Sequence, residues 1–102
     1  MRVLERRVQH KVPSQDKYWA WEKQWEAVEQ RLGGYPPKRH YMLVSGRDPL
    51  GTMVWKREWE SMAALEDGTQ RFFDDPEAMR LIQDYGSGPV QDGEMVELYM
   101  VP

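Results

Sequence analysis

The sequence predicts an α+β domain in which helices cover one face of a four-stranded antiparallel sheet. The hydrophobic pattern alternates between a period of two and a period of three to four residues, in the order β-α-β-β-α-β. Two of the strands are separated by a short turn, which is typical of a hairpin. The length of 102 residues suits one domain spanning residues 1–102.

The first strand is predicted over residues 2–12, where side chains alternate between two faces. Pro13 ends it, because proline has no amide hydrogen for a ladder. Ser14 is a good N-cap for the helix that follows. The predicted buried stripe of this helix comprises Tyr18, Trp21, Trp25, Val28 and Leu32. Glu22 and Glu26 are expected on its solvent side, and Gly33-Gly34 ends it.

The second and third strands are predicted over residues 38–45 and 52–59. The segment between them contains Asp48-Pro49 and is bounded by glycines, which is turn chemistry. We therefore expect these strands to pair as a hairpin.

A second helix is predicted over residues 61–73, with Ser61 as its cap and Gly68 weakening its middle. Asp74-Asp75-Pro76 indicates a break, and a short third helix should run over 76–85. Its expected buried side comprises Met79, Ile82 and Tyr85. A loop over 86–89 precedes the last strand, predicted over 94–101.

This element order is ferredoxin-like, with the helices on one face of the sheet. At least three strands carry apolar residues on both faces, as in Leu98 and Tyr99 of the last strand. The face away from the helices would then expose an apolar patch, which marks an interaction surface. The sequence therefore predicts a homodimer formed through this open sheet face. The alternative is a monomer whose loops and terminal residues cover the patch.

The chain also resembles a known family. Residues 4–8 are similar to the opening strand of NIPSNAP-like proteins, and residues 55–66 resemble their junction between an aromatic strand end and a Ser/Ala/Leu-rich helix. The restart at Asp75-Pro76-Glu77 fits as well. Element order agrees over essentially the whole chain, whereas detailed similarity is limited to about a dozen residues around 55–66.

The resemblance implies the dimeric α+β barrel fold, which often has a cavity between sheet and helices. Related groups include cofactor-independent monooxygenases, haem-degrading enzymes, muconolactone-isomerase-like proteins and stress-response proteins without assigned chemistry. No catalytic signature is shared among them, so the resemblance assigns no catalytic residue here. The Trp-rich first helix departs from the family and puts a pocket of ordinary shape in doubt.

Composition narrows the function classes. The net charge is −3 and no basic stripe is present, which argues against a nucleic-acid partner. Cysteine is absent, so thiolate metal sites and cysteine nucleophiles are excluded. The start is charged where a signal peptide would be apolar, and no apolar run approaches a membrane span. We therefore expect a cytoplasmic protein without a membrane partner.

The candidate ligand-binding residues are aromatic or able to hold an oxygen atom of a ligand. They are Arg6, His10, Tyr18, Trp21, Trp25, His40, Tyr41, Trp55, Arg57 and Tyr99. The histidines could instead be partly exposed strand-end residues, and the arginines could form ion pairs with Glu5 or Glu97. The aromatic residues of the helix could simply be core. No metal site or cofactor is predicted, although either histidine could serve as an axial ligand in a less favoured haem-binding alternative.

Two functional hypotheses follow. The first is a homodimeric binding protein for a small apolar or aromatic molecule held between sheet and helices. The second is a cofactor-independent monooxygenase or isomerase, with Trp21, Trp25 and Trp55 around an aromatic substrate. Arg6, Arg57, Tyr41 or His40 would then stabilise negative charge developing on oxygen. The sequence leaves open whether the protein is an enzyme.

Overall fold

Four strands and three helices make up the described part of the chain, residues 1–84, 89–90 and 93–102 of a computed structural model. They are β1 (Arg2–Gln9), α1 (Gln15–Leu32), β2 (Arg39–Met42), β3 (Met53–Trp59), α2 (Met62–Phe73), α3 (Pro76–Asp84) and β4 (Glu94–Val101). The strands form one antiparallel sheet in the order β2-β3-β1-β4. This is the ferredoxin-like α+β arrangement that the sequence predicted.

β1 lies in the interior of the sheet and ends at Gln9, three residues before the predicted end at residue 12. Lys11 has a left-handed φ of 54°, which breaks the extended conformation. Beyond Gln9 the chain bonds to loop backbone instead of strands: the amide of Val12 donates to the carbonyl of Gly51 at 2.9 Å. The backbone pairing of β1 therefore ends before Pro13, which was predicted to end the strand.

α1 begins and ends as its sequence predicts. The Ser14 hydroxyl accepts a hydrogen bond from the amide of Lys17, and Gly33 ends the helix with a φ of 77°. The predicted stripe is buried, with Leu32 only partly so. The prediction that Glu22 faces solvent was wrong, because its side chain is only 6% exposed.

β2 and β3 pair as the predicted hairpin, but β2 is only four residues long. After Met42 the amide of Leu43 still donates to the carbonyl of Thr52, and the chain then leaves the sheet. The predicted strand over 38–45 was therefore too long at both ends.

α2 is capped by Ser61 as predicted, and its Gly68 has a packing role. A Cβ atom there would lie 2.6 Å from Cη2 of Trp59, so only glycine allows this close approach. In α3 the buried residues are Ala78 and Leu81, which corrects the prediction of a stripe on the side of Met79 and Ile82. The predicted continuation to Tyr85 and the loop at 86–88 lie outside the described residues.

The helices pack on the face formed by the odd-numbered residues of β1 and β3. Met53, Trp55 and Trp59 of β3 are buried there. The same face of β4 is less covered, since Leu98 is 44% and Met100 is 69% exposed. Within the described residues, no helix is both long and apolar enough to cross a membrane.

Candidate functional site

A cavity of about 350 Å³ lies between the sheet and the helices. Its size falls in the range of small-molecule sites, roughly 300–1,000 Å³. Most of the lining comes from charged residues of the sheet and α1 and from aromatic residues of the helices and β3. The lining residues are Glu5, Arg7, Gln9, Trp21, Glu22, Trp25, Glu29, Lys38, Trp55, Arg57, Thr69, Phe72, Phe73, Ile82 and Glu94.

The apolar wall of the cavity is built by aromatic residues at helical spacing. Trp21 and Trp25 lie one turn apart on α1, with ring centroids 6.3 Å apart in an edge-to-face arrangement. Phe72 of α2 meets the ring of Trp25 at 5.0 Å, again edge-on. Trp55 closes the wall from the sheet and is 4% exposed. This wall can pack against a flat apolar molecule.

The sheet side of the cavity is polar and centres on Glu5. This carboxylate is 3% exposed and accepts hydrogen bonds from Nε of Arg57 (3.1 Å), Nε of Arg7 (2.8 Å) and Nε1 of Trp59 (2.8 Å). Arg7 also donates to Glu94 at 2.6 Å. Buried charges are tolerated when they are paired in this way.

The α1 side continues the same network. Nη1 of Arg57 donates to Glu29 at 3.0 Å, and Nζ of Lys38 lies 3.3 Å from Glu29 and 3.6 Å from Glu22. Glu22 in turn lies 2.8 Å from Nε2 of His40. We call Glu5, Arg7, Glu22, Glu29, Lys38, Arg57 and Glu94 the buried charge network.

Two of these carboxylates have lowered pKa values. For Glu5, burial alone would raise the pKa, but the charges of Arg57 and Arg7 and the bond from Trp59 outweigh it. For Glu22, burial is again outweighed, here by the hydrogen bond with His40 and the charge of Lys38. Both groups are therefore ionised at neutral pH.

Trp55 lies where the cations of the network converge. Nζ of Lys38 is 4.5 Å from its ring centroid, and the guanidinium carbons of Arg57 and Arg7 are at 4.9 and 5.4 Å. Cations near an aromatic face are attracted by its quadrupole. The indole of Trp55 thus helps to hold the side chains of Arg7, Lys38 and Arg57 in place.

A second, outer cleft of about 620 Å³ lies beside the first, between α1 and the connector that follows it. Trp19, Glu26, Tyr35 and His40 are among its lining residues, and Glu22, Glu29 and Lys38 line both spaces. These three side chains therefore separate the outer cleft from the cavity. No group of three or more His, Asp or Glu side chains in residues 1–84, 89–90 and 93–102 could hold a metal ion.

Four of the predicted site residues meet at the cavity: Trp21, Trp25, Trp55 and Arg57. Tyr18 lies instead in the core, fully buried, and its hydroxyl donates to Oε1 of Gln9 at 2.5 Å. His40 lines the outer cleft and reaches the cavity only through Glu22.

The other four lie on the open face, which is the side of the sheet away from the helices, or at its end. Tyr41 and Tyr99 are 47% and 44% exposed. Arg6 pairs with Glu97 and Arg57 pairs with Glu5, as in the ion-pair alternative raised for the arginines. Nε2 of His10 lies 3.2 Å from Asp48. Both histidines thus have a carboxylate partner from another element, which spacing along the chain did not indicate.

Sequence reasoning missed the carboxylates that line the cavity. A signal was present in α1: Tyr18, Glu22, Trp25 and Glu29 follow one another at steps of four and three, so both glutamates share the buried stripe. Lys38 gave no comparable signal, because it precedes a strand and is positioned only by tertiary packing.

Comparison with known proteins identifies the fold. No protein-family model matches the chain, and no curated protein sequence matches it. A NIPSNAP family protein from Agrobacterium tumefaciens superposes with a TM-score of 0.76 at 11% identity, over 98% of this chain and 92% of that one. The chain thus has the ferredoxin-like α+β fold of this NIPSNAP family structure.

Two further structures have a similar fold. SnoaB, a cofactor-independent oxygenase from Streptomyces nogalater, gives a TM-score of 0.69 at 11% identity, over 98% of this chain and 92% of that one. A dimeric ferredoxin-like protein of unknown function from Jannaschia gives 0.63 at 17% identity, over 97% and 99%. At these identities the likeness establishes the fold and leaves function to the site.

Proposed function

We propose that this protein is a homodimer that binds a small aromatic molecule in the cavity between sheet and helices. The observation that carries the proposal is the cavity of about 350 Å³, which has an aromatic wall on one side and the buried charge network on the other. An apolar pocket with a few convergent polar groups is the usual form of a small-molecule site.

The two sides of the cavity would have different tasks. The rings of Trp21, Trp25 and Phe72 offer edges and faces to a flat ligand, which supplies apolar contact. The charge network is held by hydrogen bonds between β1, β3 and α1, so its polar atoms are fixed before a ligand arrives. Preorganised groups of this kind give a ligand its orientation.

Titration calorimetry with simple indoles and naphthols tests the binding proposal. Ile82 lines the cavity from α3 and is 38% exposed, so Ile82→Tyr should narrow the cavity without disturbing the core. We expect this variant to weaken binding at least tenfold. Gln83→Tyr, at the next and exposed position, is the matched control and should bind as the unmodified protein does. Equal affinity of both variants would contradict a site in this cavity.

The proposed dimer would form through the open face. Tyr41, Met95 and Tyr99 lie on this face and are 44–47% exposed, which is consistent with contact between two sheets. The likeness to a dimeric ferredoxin-like protein supports the same assembly.

Native mass spectrometry of charged variants tests that surface. Tyr99→Lys places an ammonium on the open face and should produce a monomer. Met100→Lys places it on the opposite face of the same strand and should leave the dimer intact. A monomeric protein before mutation would refute the assembly, and dissociation by Met100→Lys alone would locate it on the other face.

The alternative function is a cofactor-independent monooxygenase or isomerase acting on an aromatic substrate. It is supported by the fold likeness to SnoaB and by Arg57, which lines the cavity with its guanidinium carbon 4.9 Å from the ring centroid of Trp55. A cation there can stabilise negative charge developing on a substrate oxygen. Oxygen uptake with quinol substrates tests this. We expect uptake to be lost in Arg57→Lys and kept in Arg6→Lys on the open face, and equal rates would refute a role for Arg57.

A further inference from the structure

The charges that line the cavity do not balance. Four carboxylates and three cations belong to the described lining, which leaves one negative charge in excess. The carboxylates are Glu5, Glu22, Glu29 and Glu94, and the cations are Arg7, Lys38 and Arg57. Among the described residues, the imidazole in contact with this set is that of His40, which lines the outer cleft.

The cations are already engaged with carboxylates of the protein. Arg57 contacts Glu5 and Glu29 at 3.1 and 3.0 Å, and its side chain is 3% exposed. Arg7 contacts Glu5 and Glu94 at 2.8 and 2.6 Å. An anionic ligand would have to displace a carboxylate from one of these pairs, and the released carboxylate would be left without that partner.

Of the four lining carboxylates, Glu22 lies farthest from its nearest lysine or arginine nitrogen. Its cationic neighbour, Nζ of Lys38, is 3.6 Å away and is shared with Glu29 at 3.3 Å. Its short contact, at 2.8 Å, is with Nε2 of His40, which lines the outer cleft. Glu22 also lines the cavity directly beside Trp21 and Trp25.

We propose that the cavity selects an aromatic molecule carrying a positive charge, such as an arylalkylamine, over an aromatic carboxylate of the same shape, with the ammonium directed to Glu22. This inference rests on the proposed binding function and specifies the chemical class of its ligand. A carboxylate beside tryptophan rings attracts an ammonium both by its charge and through the quadrupoles of the rings.

Three probes that share an indole ring with a short substituent at position 3 but differ in charge test the inference by calorimetry at pH 7: tryptamine as cation, 3-ethylindole as neutral molecule and indole-3-propionate as anion. We expect tryptamine to bind at least about tenfold more tightly than indole-3-propionate, because the excess negative charge of the lining attracts the ammonium and repels the carboxylate. The neutral probe should lie between them.

A pair of isosteric variants of α1 locates the charge effect. Glu22→Gln should reduce the preference for tryptamine over 3-ethylindole, measured on the same variant, to about twofold or less. Glu26→Gln is the matched control, because Glu26 is exposed and lines the outer cleft but not the cavity. It should retain the full preference.

The outcomes separate the two proposals. If indole-3-propionate binds as tightly as tryptamine or more tightly, the charge inference is overturned while binding of aromatic molecules stands. If none of the three probes binds, the proposed binding function fails together with the inference. The comparison of the three probes uses the unmodified protein, so it decides the question even where Glu22→Gln does not fold.

Discussion

Glu5 is the point at which the buried charge network is most sensitive to substitution. It is 3% exposed and accepts hydrogen bonds from Arg7, Arg57 and Trp59. Glu5→Gln keeps the shape of the side chain but removes its charge, and the new amide nitrogen faces donors. Both arginines then lose a partner inside the protein.

The expected cost follows from how buried the remaining charges are. Removing one partner of a buried ion pair costs about 3–5 kcal/mol. The lower end applies here, because the side chain of Arg7 is 30% exposed and can regain water, whereas that of Arg57 is 3% exposed and cannot. A loss of about 3 kcal/mol corresponds to a decrease in Tm of roughly 12–24 °C for a domain of this size.

Thermal and urea unfolding at pH 7 and fixed protein concentration measure this loss. Glu58→Gln is the control, because Glu58 lies on the neighbouring strand β3 in an exposed pair with Arg2 at 3.6 Å. That change should alter the free energy of unfolding by less than about 1 kcal/mol. If Glu5→Gln is no more destabilising than Glu58→Gln, the network is not buried in the way described and the reasoning is refuted.

Three further predictions concern stability. Gly68→Ala should lower the free energy of unfolding, measured in urea, by about 1–3 kcal/mol. The new Cβ would lie 2.6 Å from Trp59, and this clash outweighs the gain in helix propensity. Glu66→Ala, at an exposed position of α2, is the control and should be nearly neutral. Ser61→Ala should cost about 1 kcal/mol through loss of the α2 cap, and an unchanged urea midpoint would contradict this. The pKa of Glu22 is lowered in the folded protein, so below the ordinary value of 4.5 the unfolded chain binds more protons than the folded one. The stability that Glu22 contributes is therefore fully present above this pH and is lost as the pH decreases. Unfolding of Glu22→Gln between pH 7 and pH 3 should therefore show a smaller loss on acidification, and an identical pH profile would be the contrary result.

The elements of the fold were predictable because each has a local signature. Ser14 and Ser61 cap the helices that their sequence context indicates, and Gly33 ends α1 in a left-handed conformation. Strand ends were less predictable, as at the end of β1, because Lys11 leaves the strand in a conformation that alternation does not reveal. Local propensity specifies the type of an element better than its last residue.

The candidate site also contains residues that the sequence could place and residues that it could not. The positions of Trp21 and Trp25 on one helical stripe followed from the sequence, and they do line the cavity. The open-face residues, such as Tyr41 and Tyr99, could not be separated from cavity residues, because two-residue alternation defines two faces without saying which one the helices cover.

The sequence by itself determined the element order, the ferredoxin-like class and the aromatic stripe of α1, since all three depend on periodicity and capping within short segments. Only the tertiary structure decided that Arg57 and Lys38 meet Glu22 and Glu29. These residues come from α1, the connector before β2, and β3, and their charges are acceptable in the interior only when packing brings the partners together. The character of the cavity is therefore a property of long-range packing.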